Sequence, residues 1–145
     1  MKKIFIASDH GGFKLKKFIK SFLDKDFAIK DLGPKQNKKS VDYPDFAHKL
    51  CKQVSKNKNN IGILVCGSGV GMSIAANKNT GIRAALCYSV ENAKLSRLHN
   101  DANVITLGER LIKKNIALKC VKTFLKTNFE GGRPVSYTHL TLPTR

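Results

Sequence analysis

The chain has 145 residues, 41% of them hydrophobic and 26% charged, which suits one domain that can bury its own core. A formal net charge of +17 comes from lysines spread over every segment up to Lys126. There is no arginine-rich block and no RNA-binding aromatic motif, so the charge reads as a solvated face that attracts small anions, and nucleic-acid binding is not expected. The apolar run after Met1-Lys2-Lys3 is too short for a signal peptide, and no stretch nears the ~18 apolar residues of a membrane span, so a cytoplasmic location is expected.

In chain order, Lys2 to Ser8 is a short apolar run that ends in Asp9-His10-Gly11-Gly12, a buried strand followed by a glycine turn. From Phe13, apolar Leu15, Phe18, Ile19, Phe22 and Leu23 recur at helical spacing with lysines between them. Phe27 to Leu32 predicts a second strand, stopped by Gly33-Pro34. Asp42-Tyr43-Pro44-Asp45 reads as a helix entrance, with Phe46, Ala47, Leu50, Cys51 and Val54 as the inner face. Ile61 to Cys66 is apolar on both faces, as a central parallel strand should be. Gly67-Ser68-Gly69-Val70-Gly71 follows at once, then a small-residue helix through Met72, Ala75 and Ala76. Ala84 to Cys87 predicts a fourth strand and Ser89 towards His99 a helix. Val104 to Leu107 is a fifth strand ending at Gly108-Glu109-Arg110, and Ile116, Cys120, Val121, Phe124 and Leu125 mark a last amphipathic helix.

This alternation predicts an α/β fold, a Rossmann-like three-layer sandwich with a parallel sheet of about five strands. One domain over residues 1–133 is expected. Residues 135–145 hold no lysine and no acid and lack either periodicity, so 134–145 reads as an artefact of cloning or annotation, or as a disordered tail.

In such sheets ligands bind beyond the carboxyl ends of the strands. Three strand ends carry reactive groups: Asp9-His10, Cys66 with its glycine loop, and Glu109-Arg110; His99-Asn100 lies at a helix end. These groups are expected to converge on one rim. The loop matches neither the dinucleotide fingerprint, its third glycine coming one residue early, nor the P-loop. It does offer several backbone N–H groups at a helix start, which favour a phosphate or a developing oxyanion and a thiolate beside them. From position alone Cys66 is equally a buried strand cysteine. Cys51 and Cys120 fall on apolar helix faces, where burial is expected. The four cysteines match no zinc or CxxC spacing.

Several long segments, in order, carry a resemblance: Ser8-Asp9-His10-Gly11-Gly12-Phe13, Asp42-Tyr43-Pro44, the run from Cys66 to Lys78, Gly81-Ile82-Arg83-Ala84, Leu95-Ser96-Arg97, His99-Asn100-Asp101-Ala102-Asn103-Val104 and Glu130-Gly131-Gly132-Arg133. Over roughly residues 1–133 the chain resembles the ribose-5-phosphate isomerase B family, whose relatives include galactose- and allose-6-phosphate isomerases. The resemblance implies a homodimer, often paired into tetramers, with sites built across the dimer interface and with neither metal nor nucleotide cofactor. It implies aldose–ketose isomerisation of ribose and ribulose 5-phosphates of the pentose phosphate pathway through an enediolate, a base moving a proton from C2 to C1.

Family members place the base either at the cysteine before the loop or at a glutamate after it. The latter position is Met72, which cannot titrate, so Cys66 inherits the role. By the same resemblance Ser68 assists, Gly67, Gly69, Val70 and Gly71 supply N–H donors, and His99 opens the furanose ring. Asp9, His10 and Asn100 contact the sugar or phosphate, and Arg110 and Arg133 bind phosphate. The chain departs from the family after Arg133, where Tyr137 stands at the position of a second phosphate arginine. Two rival readings are a hexose-6-phosphate isomerase on the same scaffold and, supported only by charge, a basic nucleic-acid-binding module.

Overall fold

The three central strands have every residue buried, as strands covered on both faces must. They are β1 (Ile4–Ser8), β3 (Ile61–Cys66) and β5 (Val104–Gly108), with β2 (Ile29–Asp31) and β4 (Ala84–Leu86) at the edges. In the computed structural model, which describes residues 3–36 and 42–131, they form one parallel sheet in the order β2-β1-β3-β5-β4. The edge strands are three residues each, shorter than their apolar runs. An edge strand has one ladder only, and its pairing ends with the Ile4–Ile6 and Val104–Thr106 partners.

Strand side chains alternate faces, and the two faces build two cores. Ile4, Ile6, Ile61, Ile63, Val65, Ile105 and Leu107 pack under α1 (Phe13–Leu23), α4 (Val90–Asn100) and α5 (Lys114–Lys126). Phe5, Ala7, Leu64, Cys66 and Val104 pack under α2 (Tyr43–Val54) and α3 (Val70–Asn77). The expected three-layer α/β sandwich is therefore present.

The register sets Ser8 beside Val65 and Cys66 beside Gly108, so β1, β3 and β5 end level at one edge. From β1 the chain moves outward to β2 and then crosses back to β3. That reversal opens a crevice beyond the carboxyl ends of β1 and β3.

Ser89 caps α4: its Oγ accepts the Asn92 N–H at 3.1 Å while Asn92 Oδ1 accepts the Ser89 N–H at 3.0 Å. At the other end Arg97, 8% exposed, donates from Nε to the Thr127 carbonyl at 3.0 Å and from Nη1 to Asp101 Oδ1 at 3.2 Å and to the Ala102 carbonyl. It thereby ties the end of α4 to the end of α5.

Candidate active site

β3 delivers Cys66 as its last residue, 4% exposed. Gly69 adopts φ +81°, a left-handed turn that aims its N–H at Cys66 Sγ, 3.1 Å away. The Val70 N–H donates to Ser68 Oγ at 3.2 Å. The turn is pressed against β5: a Cβ at Gly69 would lie 2.9 Å from the Leu107 carbonyl carbon, and one at Gly108 2.4 Å from the Ser68 carbonyl. The sulfur therefore sits against a loop that opens α3, whose first N–H groups have no partners within the helix.

Neighbouring strand ends complete the wall. Asp9, after β1, accepts the Gly12 N–H on Oδ1 at 3.1 Å, and its own N–H donates to the Val65 carbonyl at 3.2 Å. Arg110, after β5, donates its N–H to the Gly67 carbonyl at 2.9 Å, and its guanidinium lies over Gly67. Tyr43, first residue of α2, lays its ring beside Gly71, where a Cβ would come within 2.9 Å of it. The result is a cavity of about 350 Å³ lined by Asp9, His10, Gly11, Tyr43, Cys66, Gly67, Ser68, Gly71, Arg110 and Leu111. A larger hollow of about 690 Å³ opens at the amino edge near Lys3, Asp24, Phe27, Lys30 and Gln53, with no cysteine, serine or histidine in its lining.

Of the expected site residues, Asp9, His10, Cys66, Gly67, Ser68, Gly71 and Arg110 meet in this cavity. Gly69 lies buried behind it and serves the sulfur, while Val70 is exposed on α3. Glu109, beside Arg110, is instead a cap, accepting the Leu15 N–H of α1 at 2.8 Å.

The expected convergence on one rim is corrected for His99 and Asn100. Because α4 joins two parallel strands, it must run back to the amino edge, and its last residues are exposed there. One protomer does not bring them to Cys66. Arg133, Tyr137 and the 134–145 tail lie outside the described residues. Sequence reading missed Tyr43 and Leu111 as lining residues. Tyr43 did carry a signal, an aromatic at a helix entrance within one of the resembling segments.

The remaining cysteines are buried in the two cores. Burial pushes the Cys51 and Cys87 thiols up to about 12 and raises Cys120 as well. Among the described residues, no group of three or more His, Cys, Asp or Glu side chains could hold a metal ion.

A cysteine on an N–H-rich loop, ringed by Asp, His, Tyr and Arg at the switch point of a parallel sheet, defines an α/β enzyme acting on a small anionic substrate. The profile of the ribose/galactose isomerases matches residues 4–138. A probable ribose-5-phosphate isomerase B of Mycoplasma genitalium is 49% identical over 132 residues, 90% of this chain and 87% of that protein. Ribose-5-phosphate isomerase B of Clostridium thermocellum superposes with a TM-score of 0.88 at 46% identity, covering 98% of this chain and 96% of that one. The M. genitalium enzyme with bound ribulose-5-phosphate superposes with a TM-score of 0.89 at 45% identity, covering 99% and 95%. The chain belongs to the ribose/galactose isomerase family.

Proposed function

We propose that this chain interconverts D-ribose 5-phosphate and D-ribulose 5-phosphate, with Cys66 as the base. The observation that carries the reading is the Cys66 sulfur at the cavity wall, held by the Gly69 N–H at 3.1 Å within a family whose structures include one with ribulose-5-phosphate bound.

In the open-chain aldose, the Cys66 thiolate takes the C2 proton and the electron pair moves to the C1 carbonyl oxygen, forming the enediolate. The N–H groups of the Gly67–Gly71 loop and the first turn of α3 stabilise that developing charge, the Val70 N–H by leaving Ser68 Oγ. The O2 proton passes to O1, with the Ser68 hydroxyl beside both, and Cys66 returns its proton to C1. Atoms and charge balance, and the phosphate is untouched. Arg110 binds that phosphate together with Arg133, while Asp9, His10 and Tyr43 hold the sugar.

His99 opens the ring, with Asn100 on the substrate, and both enter the site from a second copy in a homodimer. The exposed apolar side chains of Val70, Ile74 and Tyr88, on α3 and after β4, support such an interface. Pairing of dimers into tetramers, work in the cytoplasm within pentose phosphate metabolism, and a domain ending near Arg133 belong to the same reading. Among the described residues no helix is long and apolar enough to cross a membrane.

Cys66→Ala should lower turnover by about 10²–10⁴-fold while ribulose 5-phosphate still binds. Mixing dissociated Cys66→Ala and His99→Asn subunits should restore about a quarter of wild-type activity, because half the dimers regain one intact site. Wild-type turnover in Cys66→Ala, or faster conversion of a hexose 6-phosphate than of ribose 5-phosphate, would sink the reading. Failure of the mixture to regain activity would place His99 in its own protomer's site or outside catalysis.

A further inference from the structure

The Asp9 and Tyr43 sides of the cavity come from separate segments, and a buried lysine holds the stretch of chain that is bonded to both segments. Among the described residues Lys16 is the one buried lysine, its side chain 1% exposed on the inward face of α1. Its ammonium bonds Asp31 Oδ1 at 3.0 Å and donates to the Pro34 carbonyl, and it passes the Phe13 ring at 5.1 Å. Asp31 Oδ1 also accepts the Gly33 N–H at 2.8 Å. The Gly33 carbonyl in turn accepts the Ser8 N–H at 3.0 Å, one residue before Asp9. On the far side Lys49 of α2 donates to the Leu32 carbonyl at 3.0 Å. The segment Asp31–Pro34 is thus clamped between α1, the end of β1 and α2, the helix that Tyr43 begins.

A core needs no such pair to be stable. A buried ion pair is commonly no better for stability than well-packed apolar residues, because both charges must be stripped of water. Burial pulls the Lys16 pKa below 10.5, with Asp31 acting in the opposite direction. What the pair adds is direction, since it fixes a carboxylate and a backbone carbonyl at once.

We infer that Lys16 is a positioning residue for substrate binding: through Asp31 and Pro34 it sets the turn that holds Asp9 and Tyr43 against the cavity. The inference rests on the reading of that cavity as the sugar-phosphate site. It separates binding from chemistry, because the pair has no bond to the Gly67–Gly71 loop that serves Cys66.

Lys16→Met keeps the length and packing of the stem and removes both bonds. The expected result is a KM for ribose 5-phosphate raised about ten- to a hundredfold, with kcat within about threefold of wild type. The rate of Cys66 alkylation by iodoacetamide should not change. Hydrogen exchange should show the Ser8 and Gly33 amides losing protection, a readout that stands even if the wild-type protein proves inactive on ribose 5-phosphate. The double variant Lys16→Met/Asp31→Asn removes both charges, leaves an oxygen for the Gly33 N–H, and should show the same raised KM. An unchanged KM in either folded variant, or a fall in kcat alone, would overturn the proposal. So would unfolding of both variants, which would make the pair a device of stability only.

Discussion

Replacing Gly69 by alanine tests the link between loop geometry and the Cys66 sulfur. The residue sits at φ +81°, where an L side chain costs about 1–2 kcal/mol. The new Cβ would also meet Leu86 Cδ1 at 2.5 Å and the Leu107 carbonyl carbon at 2.9 Å. Leu86 can rotate away, but the β5 backbone cannot, so the loop must shift outward by several tenths of an ångström. That shift stretches and weakens the 3.1 Å N–H···S bond, since Cys66 is fixed at the end of a buried strand. Such a bond to a charged acceptor is worth about 1.5–3 kcal/mol. The variant should therefore alkylate at Cys66 more slowly at neutral pH, by up to about ten- to a hundredfold, and kcat should fall by at least as much. Iodoacetamide kinetics followed by intact mass give the first number, and a coupled isomerase assay gives the second. A folded Gly69→Ala protein with wild-type alkylation and turnover would refute the role given to this N–H.

Two further outcomes follow from burial. Arg97→Met should destabilise the fold by about 2–4 kcal/mol in urea denaturation, because it strands the Thr127 and Ala102 carbonyls and leaves Asp101 to Arg83 alone; a loss under about 1 kcal/mol would contradict that accounting. Cys51 and Cys87 hold their protons to about 12 when folded but release them from 9.0 upward when unfolded. Each thus contributes stability that is full below 9.0 and lost as pH climbs towards 12, at about 1 kcal/mol per pH unit. Urea midpoints measured across that window should fall, and Cys51→Ala should flatten the fall although it lowers stability at neutral pH.

Local chemistry carried much of this protein on its own. Ile61 to Cys66 reads as a central strand because both its faces are apolar, and the structure buries all six residues. The glycines at 67, 69 and 71 read as an N–H-rich turn because three glycines in five residues come directly after an apolar strand and open a helix, and the turn meets the sulfur. Ser89 likewise reads as a helix start and caps α4.

Strand order was not legible, since apolar runs of similar make-up give no sign that β5 lies between β3 and β4. Nor was the part played by Tyr43, which depends on how close α2 comes to a glycine 28 positions later. Lys16 looked like any other lysine on α1, and only packing against β2 makes it buried and paired. The same holds for His99. Its residue type pointed to acid–base chemistry, but a helix returning between parallel strands carries it to the edge away from Cys66. Residue type and short-range spacing depend on the chain alone, whereas the side of the sheet that a group reaches depends on contacts between segments far apart in sequence.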